Sequence, residues 1–353
     1  MIFSESNTQG KTLKDNRIYL YDNIKLLAIL LVVIGHAINF LTDDKGNGLE
    51  KSLYLTIYSI HMPLFIFISG LFFKPMDKSA KFPKQKVISY ILIGIVLRIV
   101  MSVLRLLLNE KPVYSLFDVY DTFTWFMWAM AVFISLMWLF REYNTKIILL
   151  LALLVGCMAG YDKNLGDWFA LMRIVVFFPF FVLGYIIKPE QLAKWLSDKR
   201  LKIASIFIVV GIIVFFFFFT KAYPYLRPMF TGRNTFRVLG KYYSFGGIVR
   251  LLCYGISTVF GFSVMCLISK KKLGALTNIG AKTLQIYFWH KAFLVVMEHF
   301  KLYEFIQGFT GSTIATAIYI LLAVAVAFIC SLKIFSFPTK QLLKFGKPDN
   351  KIG

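Results

Sequence analysis

Long apolar blocks separated by short polar segments run through the whole chain after a mostly polar start at residues 1–23. Most blocks approach about 20 residues, the length that crosses a bilayer as an α-helix. No segment alternates apolar and polar residues as barrel strands do, so helices are the predicted element. The pattern predicts ten membrane-spanning helices, near residues 24–42, 53–73, 87–108, 123–140, 147–160, 168–187, 203–220, 246–269, 283–300 and 312–334.

These helices predict an all-α, polytopic membrane bundle that forms a single domain at residues 24–338. Residues 1–23 are expected to form a cytoplasmic N-terminal segment, and the basic residues 339–353 a solvated cytoplasmic tail. No removable signal peptide is expected, because no small-residue cleavage site follows a short apolar core near the start.

Composition supports a membrane protein, since 58% of residues are apolar and only 16% are charged. The formal charge of +22 would also suit a nucleic-acid-binding protein. However, most Lys and Arg residues fall in the segments on one side of the membrane, which is the positive-inside pattern. We therefore expect an even number of spans with both termini cytoplasmic, a lipid bilayer as the partner, and no nucleic acid.

The four cysteines show no disulfide or metal spacing, and no metal is expected.

One external segment, residues 221–245, breaks the charge pattern. It contains four tyrosines and five basic residues, among them Arg233 and Arg237. Two interpretations remain open. The segment either contacts lipid headgroups or binds an anionic or sugar ligand. In the second case, arginine binds acidic groups of the ligand and tyrosine stacks on a sugar face. On the second interpretation, Arg233 and Arg237 are candidate substrate-binding residues.

Ionisable side chains inside membrane spans are costly and are functional candidates by default. Arg98 and Arg173 are such residues, and we assign them to substrate binding. A second group lies near predicted span ends, where the side chain can reach the interface without any further role. This group comprises Arg105, Arg250, Glu298 and His299.

Three histidines are predicted to lie near the middle of the membrane. His36 follows Lys25 by eleven residues, which corresponds to about 16 Å along a helix. Similar counts from the nearest basic residues place His61 and His290 at matching depth. Equal depth on three spans indicates one buried site, although a histidine in a span can also serve only as an interhelical hydrogen bonder.

Helical spacing relates these histidines to other polar groups. Lys25 and His36 share a helix face to within about 20°. Thr283, Tyr287 and His290 also form one stripe.

A neutral imidazole can accept a proton from a hydroxyl or carry an acyl group. Lys25 and the lysines before the third span lie on the side predicted to be cytoplasmic. They either hold a phosphate-rich donor or reflect only the positive-inside pattern.

The segment DNIKLLAILLVVIGH (22–36) resembles the opening motif of the membrane acyltransferase 3 family, a basic residue followed by ten residues and a histidine. YSIHMPLFIFISGLFFK (58–74) resembles the second-span signature of the fucose 4-O-acetylase-like branch. Three further segments resemble later spans in the expected order, TWFMWAM (124–130), FFPFFVLGY (177–185) and AKTLQIYFWH (281–290).

The chain departs from the family pattern at two places. Lys25 stands where many members carry arginine, although the fucose-acetylase-like branch often accepts lysine. Ser89 precedes Tyr90 where proline would be more usual, a difference that does not touch the chemistry.

The resemblance implies an O-acyltransferase that moves an acyl group, usually acetyl from cytoplasmic acetyl-CoA, to a hydroxyl of a cell-surface, exported or lipid-linked polysaccharide. It implies that His36 is the catalytic histidine and Lys25 its basic partner. Lys84 and Lys86 match a basic run expected to meet the CoA phosphates. The supporting residues we assign are His61, His290, Tyr287 and Asp22.

The resemblance also favours a multi-pass protein of the bacterial cytoplasmic membrane, with a glycan or lipid-linked sugar as acceptor and other polysaccharide biosynthesis proteins as partners. Two other functions remain open. One is a polysaccharide exporter or flippase without covalent chemistry, since a polar cavity at mid-membrane depth also suits transport. The other is a non-catalytic membrane subunit of a biosynthetic complex.

Overall fold

The computed structural model describes residues 19–42, 47–73, 76–110, 124–162, 164–165 and 168–345, and within them all regular structure is helical. The first helices are α1 (Tyr19–Leu41), α2 (Gly48–Tyr58), α3 (His61–Leu71), α4 (Lys84–Leu107), α5 (Trp125–Leu139) and α6 (Thr145–Met158). The middle helices are α7 (Leu171–Ile186), α8 (Pro189–Trp195), α9 (Lys199–Phe218), α10 (Tyr223–Thr231) and α11 (Gly246–Leu267). The last helices are α12 (Ala275–Gly280), α13 (Thr283–His299), α14 (Leu302–Thr310), α15 (Ser312–Cys330) and α16 (Thr339–Lys344).

Six helical segments among the described residues are long and apolar enough to cross a membrane. The nearly continuous pair α2 and α3 is one of them, and α7 with α8, bent by 92°, would be a seventh. The predicted spans at α5 and α6 are apolar but shorter, and α13 has only 17 residues. The all-helical membrane architecture is confirmed, whereas the count of ten spans and the cytoplasmic termini stay predictions.

Three segments expected outside the bundle are helical instead. α1 begins at Tyr19, so residues 19–23 extend the first helix. The tail predicted from residue 339 is not solvated at its start, because α16 packs Leu342 and Leu343 against the apolar core beside α4. The segment 221–245 is not an open loop, since it folds into α10 and 3-10 turns. Residues 1–18 and 346–353 lie outside the described residues.

α1 occupies a central position, because it packs against α2, α3, α12, α13 and α15. Its approach to α12 is especially close. A Cβ atom on Gly280 would lie 1.9 Å from the carbonyl oxygen of Asp22, so only glycine fits there. This contact fixes the first turns of α1, which carry Asp22 and Lys25.

α3 and α7 cross at two glycines that face each other's backbone. A Cβ on Gly70 of α3 would lie 2.1 Å from the Phe181 carbonyl oxygen, and one on Gly184 of α7 would lie 2.0 Å from the Phe67 carbonyl oxygen. Small residues at such crossings let membrane helices pack in backbone contact. The crossing holds α3 and α7 in fixed register, and these helices carry His61 and Arg173.

Candidate active site

His36 and His290 meet inside the bundle. α1 supplies His36, and α13, which packs against α1, supplies His290. Their ring centroids lie 5.4 Å apart, with the ring planes tilted by 38°. His290 is fully buried, whereas His36 is half-buried. The pair therefore combines one enclosed ring with one that is partly exposed.

His61 and two cations complete the surroundings of His36. The groups whose charges act on the His36 ring are Lys291, His290, His61 and Arg173. These groups come from α3, α7 and α13. Together with α1, which carries His36, four helices therefore meet at this place. The three histidines predicted to share a depth are brought together. We refer to His36, His61 and His290 as the histidine cluster.

Backbone carbonyls fix the orientation of two rings of the histidine cluster. His61 Nδ1 lies 2.9 Å from the Ile57 carbonyl oxygen, and His290 Nδ1 lies 2.9 Å from the Ile286 carbonyl oxygen. A carbonyl oxygen only accepts hydrogen bonds, so each Nδ1 carries the proton and donates it. Nε2 is therefore the acceptor nitrogen of each neutral ring.

Pro63 contributes to the position of His61. Proline has no N–H to donate to the carbonyl four residues earlier, and its ring disturbs the preceding turn. The helix breaks at Ser59 and Ile60, one turn before Pro63, and α3 restarts at His61. His61 spans this break, because its ring bonds back to the carbonyl of Ile57 in α2.

Arg173 extends from α7 toward the histidine cluster. Its guanidinium stacks over the Trp125 ring at 5.3 Å, a contact that orients the charge. The charge of Arg173 acts on His36, Tyr58 and Tyr287. Tyr287 lies beside the cluster as predicted by helical spacing, with its ring centroid 6.0 Å from that of His290.

Lysines from two helices gather at the end of the bundle where α1 and α4 begin and α3 ends. Lys25 Nζ lies 5.7 Å from the Phe72 ring centroid, and Lys86 Nζ lies 5.1 Å from that of Phe73. Lys84 is exposed at the first residue of α4. Adjacent aromatic residues at the end of α3 thus hold the two cations at the same end of the bundle. We call Lys25, Lys84 and Lys86 the lysine mouth.

Asp22 and Lys25 form an ion pair within the lysine mouth. Lys25 Nζ lies 2.7 Å from Asp22 Oδ1, one helical turn apart. Lys25 is separated from His36 by about 16 Å along α1. At this distance Lys25 cannot take part directly in proton transfer at His36. Asp22 supports it by directing the ammonium group.

At the opposite end of the bundle, tyrosines lead inward to the histidine cluster. Tyr58 meets the His61 ring edge-on at 4.5 Å, and Tyr54 stacks parallel on Tyr58 at 3.7 Å. Tyr223 of α10 contacts the edge of Tyr54 at 5.6 Å. The Arg227 guanidinium lies 5.3 Å over the ring of Tyr54. We call Tyr54, Tyr58 and Tyr223 the tyrosine column.

The other arginines considered in the sequence analysis differ in how far they are buried. Arg98 is enclosed in the interior on α4, where it is 2% exposed. Arg233 is half-buried and Arg237 is exposed on the segment that contains α10. Arg250, expected to reach the interface, is 1% exposed and donates to the Met229 carbonyl oxygen. That expectation was wrong because α10 and the following turns cover the start of α11.

Sequence reasoning counted Arg227 among the basic residues of 221–245 without selecting it, and it missed Glu50. Arg227 follows Tyr223 by four residues, so their helical spacing already indicated a shared face. Glu50 is buried and accepts hydrogen bonds from the Tyr303 hydroxyl at 2.8 Å and from the Thr316 hydroxyl at 2.9 Å. The sequence signal for Glu50 was its capping box with Asn47. Glu50 ties α2 to α15 and closes the bundle near the tyrosine column.

The fold and the site define a multi-pass membrane protein with a histidine cluster between a basic end of the bundle and an aromatic one. Residues 18–332 match a family described as an acyltransferase domain, and the chain belongs to this family, the acyltransferase 3 family. The match begins before α1 and ends after α15, so it covers the histidine cluster, the lysine mouth and the tyrosine column. No curated protein and no solved structure matches the chain.

Proposed function

We propose that this protein is an O-acyltransferase that moves an acetyl group from cytoplasmic acetyl-CoA to a hydroxyl of a cell-surface, exported or lipid-linked polysaccharide. The observation that carries the proposal is the half-buried His36 beside His290, on the same helix as the lysine mouth. A polysaccharide exporter has no need for a base aligned with an anion-binding opening. The proposal also includes the fucose 4-O-acetylase-like branch and the bacterial cytoplasmic membrane.

In the proposed reaction, His36 accepts the proton of the acceptor hydroxyl as the oxygen attacks the thioester carbonyl. The C–S bond breaks, and the thiolate leaves and recovers the proton from His36. The products are the acetyl ester and CoA, and the histidine returns to its starting state. A variant of this scheme forms acetyl-histidine first, followed by attack of the hydroxyl.

The neighbours of His36 fit supporting roles. The His290 ring is held by Ile286 and packs beside the His36 ring, which limits the orientations open to His36. Arg173 carries a fixed charge close to His36, where negative charge develops on the carbonyl oxygen during attack. Preorganised positive charge of this kind is a major source of rate enhancement in acyl transfer.

Acetyl-CoA fits the lysine mouth by charge. Lys25, Lys84 and Lys86 offer ammonium groups to phosphate, and Phe72 and Phe73 offer apolar surface beside them. A donor held there must extend about 16 Å to bring its thioester to His36, and a long flexible arm is suited to that distance.

The test uses purified full-length protein in lipid nanodiscs, with CoA release and ester formation on a glycan both measured. The glycan is the surface polymer from a host that lacks the gene. We expect ester formation that depends on acetyl-CoA. A host that lacks the gene should still export its polymer but without the ester groups; loss of export with unchanged chemistry would instead favour the exporter.

A further inference from the structure

We propose that Arg227 binds an acidic group of the acceptor, a carboxylate or a phosphate, beside the tyrosine column. This inference rests on the proposed function and specifies its acceptor class. The sequence analysis assigned acceptor binding to Arg233 and Arg237, but the guanidinium of Arg227, in the same segment, lies over the rings of the column.

Arg227 is held in place by several contacts. Its guanidinium lies 5.3 Å over the Tyr54 ring and 5.7 Å over the Tyr223 ring. The Tyr54 hydroxyl takes part in hydrogen bonds with both Arg227 and Tyr58. Tyr223 is itself fixed, because its hydroxyl donates to the Thr42 carbonyl oxygen at 3.2 Å. Arg227 is therefore a preorganised, half-buried cation.

Positive charge continues from Arg227 toward the reacting centre. Both Arg227 and Arg173 act on Tyr58, whose ring contacts His61. Arg173 and Lys291 act on His36. Lys51 adds a further ammonium 6.0 Å from the Tyr223 ring centroid. Fixed cations in a site of low dielectric attract an anionic ligand and disfavour a cationic one.

The tyrosine column itself leaves no room for a sugar between its rings. Tyr54 and Tyr58 already stack on each other at 3.7 Å with an interplanar angle of 7°. The column therefore supports Arg227, and the acceptor passes along its side. Arg227 presents a planar fork of donors, which suits carboxylate and phosphate groups better than a single ammonium does.

The helical spacing limits where the acidic group lies on the acceptor. Tyr54 precedes His61 by seven residues, which corresponds to about 10 Å along the axis. Arg227 lies a further 5.3 Å from the Tyr54 ring, so an acidic group bound there is separated from the reacting hydroxyl by more than one sugar unit. We therefore place the acidic group on a neighbouring unit of the acceptor and not on the reacting sugar.

The experiment compares acceptors that differ only in charge. The surface glycan from a host that lacks the gene is used intact, after carboxyl reduction, and after removal of phosphate. We expect one of the two treatments to lower kcat/KM for ester formation by roughly tenfold or more, the contribution of one charge-assisted hydrogen bond. The effective treatment identifies the acidic group.

Arg227→Gln tests the residue in the same assay. With the intact glycan, we expect Arg227→Gln to lower kcat/KM by the same factor as the effective treatment does for the wild type. The effective treatment of the glycan should then lower the kcat/KM of this variant no further. Lys241→Gln is the matched control, because it removes a positive charge from the same segment at an exposed position. It should respond to the treatments as the wild type does. If Arg227→Gln unfolds, Arg227→Lys keeps the charge without the planar fork and should show an intermediate loss.

Three results would overturn the inference. The first is a glycan that is acetylated equally well before and after both treatments, which leaves the proposed function intact. The second is an Arg227→Gln protein whose kcat/KM still falls by the full wild-type factor when the acidic group of the glycan is removed or neutralised. The third is the complete absence of acetyl-CoA-dependent ester formation by the wild type, in which case the proposed function also fails.

Discussion

At the scale of single residues, His36 differs from the other rings of the histidine cluster in its exposure. His61 and His290 are buried and each donates to a carbonyl of its own segment, whereas His36 is half-buried. A ring that is partly exposed and surrounded by other polar groups is suited to proton transfer. Its neighbours are suited to holding it in position.

We predict that His36→Gln and His36→Ala lower ester formation by roughly 10²–10⁴-fold, the usual contribution of a general base. Glutamine keeps hydrogen bonding but cannot take the proton. Ester formation by purified protein is the measurement, and thermal stability close to the wild-type value is the control for folding. Near-native transfer by His36→Gln would show that His36 is only a hydrogen bonder.

We predict that Lys25→Met and Lys86→Gln raise the KM for acetyl-CoA by roughly three- to tenfold each, because each removes a charge that faces phosphate. The KM for the glycan should stay unchanged. Lys146→Gln is the matched control, since Lys146 is an exposed lysine that is not part of the lysine mouth. An equal rise for Lys146→Gln would indicate a general surface-charge effect.

The sequence predicted the histidine cluster because depth along a helix follows from simple residue counting. His36, His61 and His290 could be matched in depth without knowledge of packing. Arg227 could not be selected in the same way, because its importance depends on α10 folding back over Tyr54. The burial of Arg250 was also missed, since it depends on the same covering segment.

At the scale of elements, the crossing of α3 and α7 couples two parts of the candidate site. α3 begins with His61, and α7 carries Arg173. Neither helix can shift past the other without a clash at Gly70 or Gly184. Rigid helices hold catalytic groups more accurately than loops do.

We predict that Gly184→Ala destabilises the protein by roughly 1–3 kcal/mol, because its Cβ would overlap the Phe67 carbonyl oxygen in a packed crossing. Thermal unfolding in detergent measures this as a Tm several degrees lower. Gly255→Ala on α11 is the matched control, since a Cβ there meets nothing within 4 Å. A Tm that falls equally in both variants would mean that the crossing is not specially tight.

Hydropathy predicted the positions of the helices but not the form of the connecting segments. The segment 221–245 and the start of the tail are polar or basic, and such composition favours loops. α10 and α16 form there because their apolar residues, among them Leu342 and Leu343, find partners on helices distant in sequence. No local pattern contains that information.

At the scale of the whole molecule, the lysine mouth and the tyrosine column lie at opposite ends of the bundle. α1 runs from the lysine mouth toward Thr42, which contacts Tyr223 of the tyrosine column. The proposed function has the donor and the acceptor approach His36 from opposite faces of the membrane. This arrangement requires the lysine mouth to face the cytoplasm, as the charge distribution predicts.

Cysteine labelling tests this orientation. We predict that Lys221→Cys reacts with a membrane-impermeant maleimide on intact cells, whereas Lys146→Cys reacts only after permeabilisation. Both positions are exposed, and the ten-span arrangement places them on opposite sides. The wild type gives the background, since Cys253, Cys266 and Cys330 are buried and Cys157 is only partly exposed. Labelling of both positions from one side would contradict that arrangement.

The paired glycines of α3 and α7 also have a consequence for the history of this sequence. Every amino acid other than glycine adds a Cβ, so any coding change at Gly70 or Gly184 places an atom inside the partner backbone. Natural selection should remove such changes irrespective of which acceptor a given species modifies. Related proteins are then expected to retain both glycines while the residues around Arg227 diverge with the acceptor, so the scaffold and the specificity evolve at different rates.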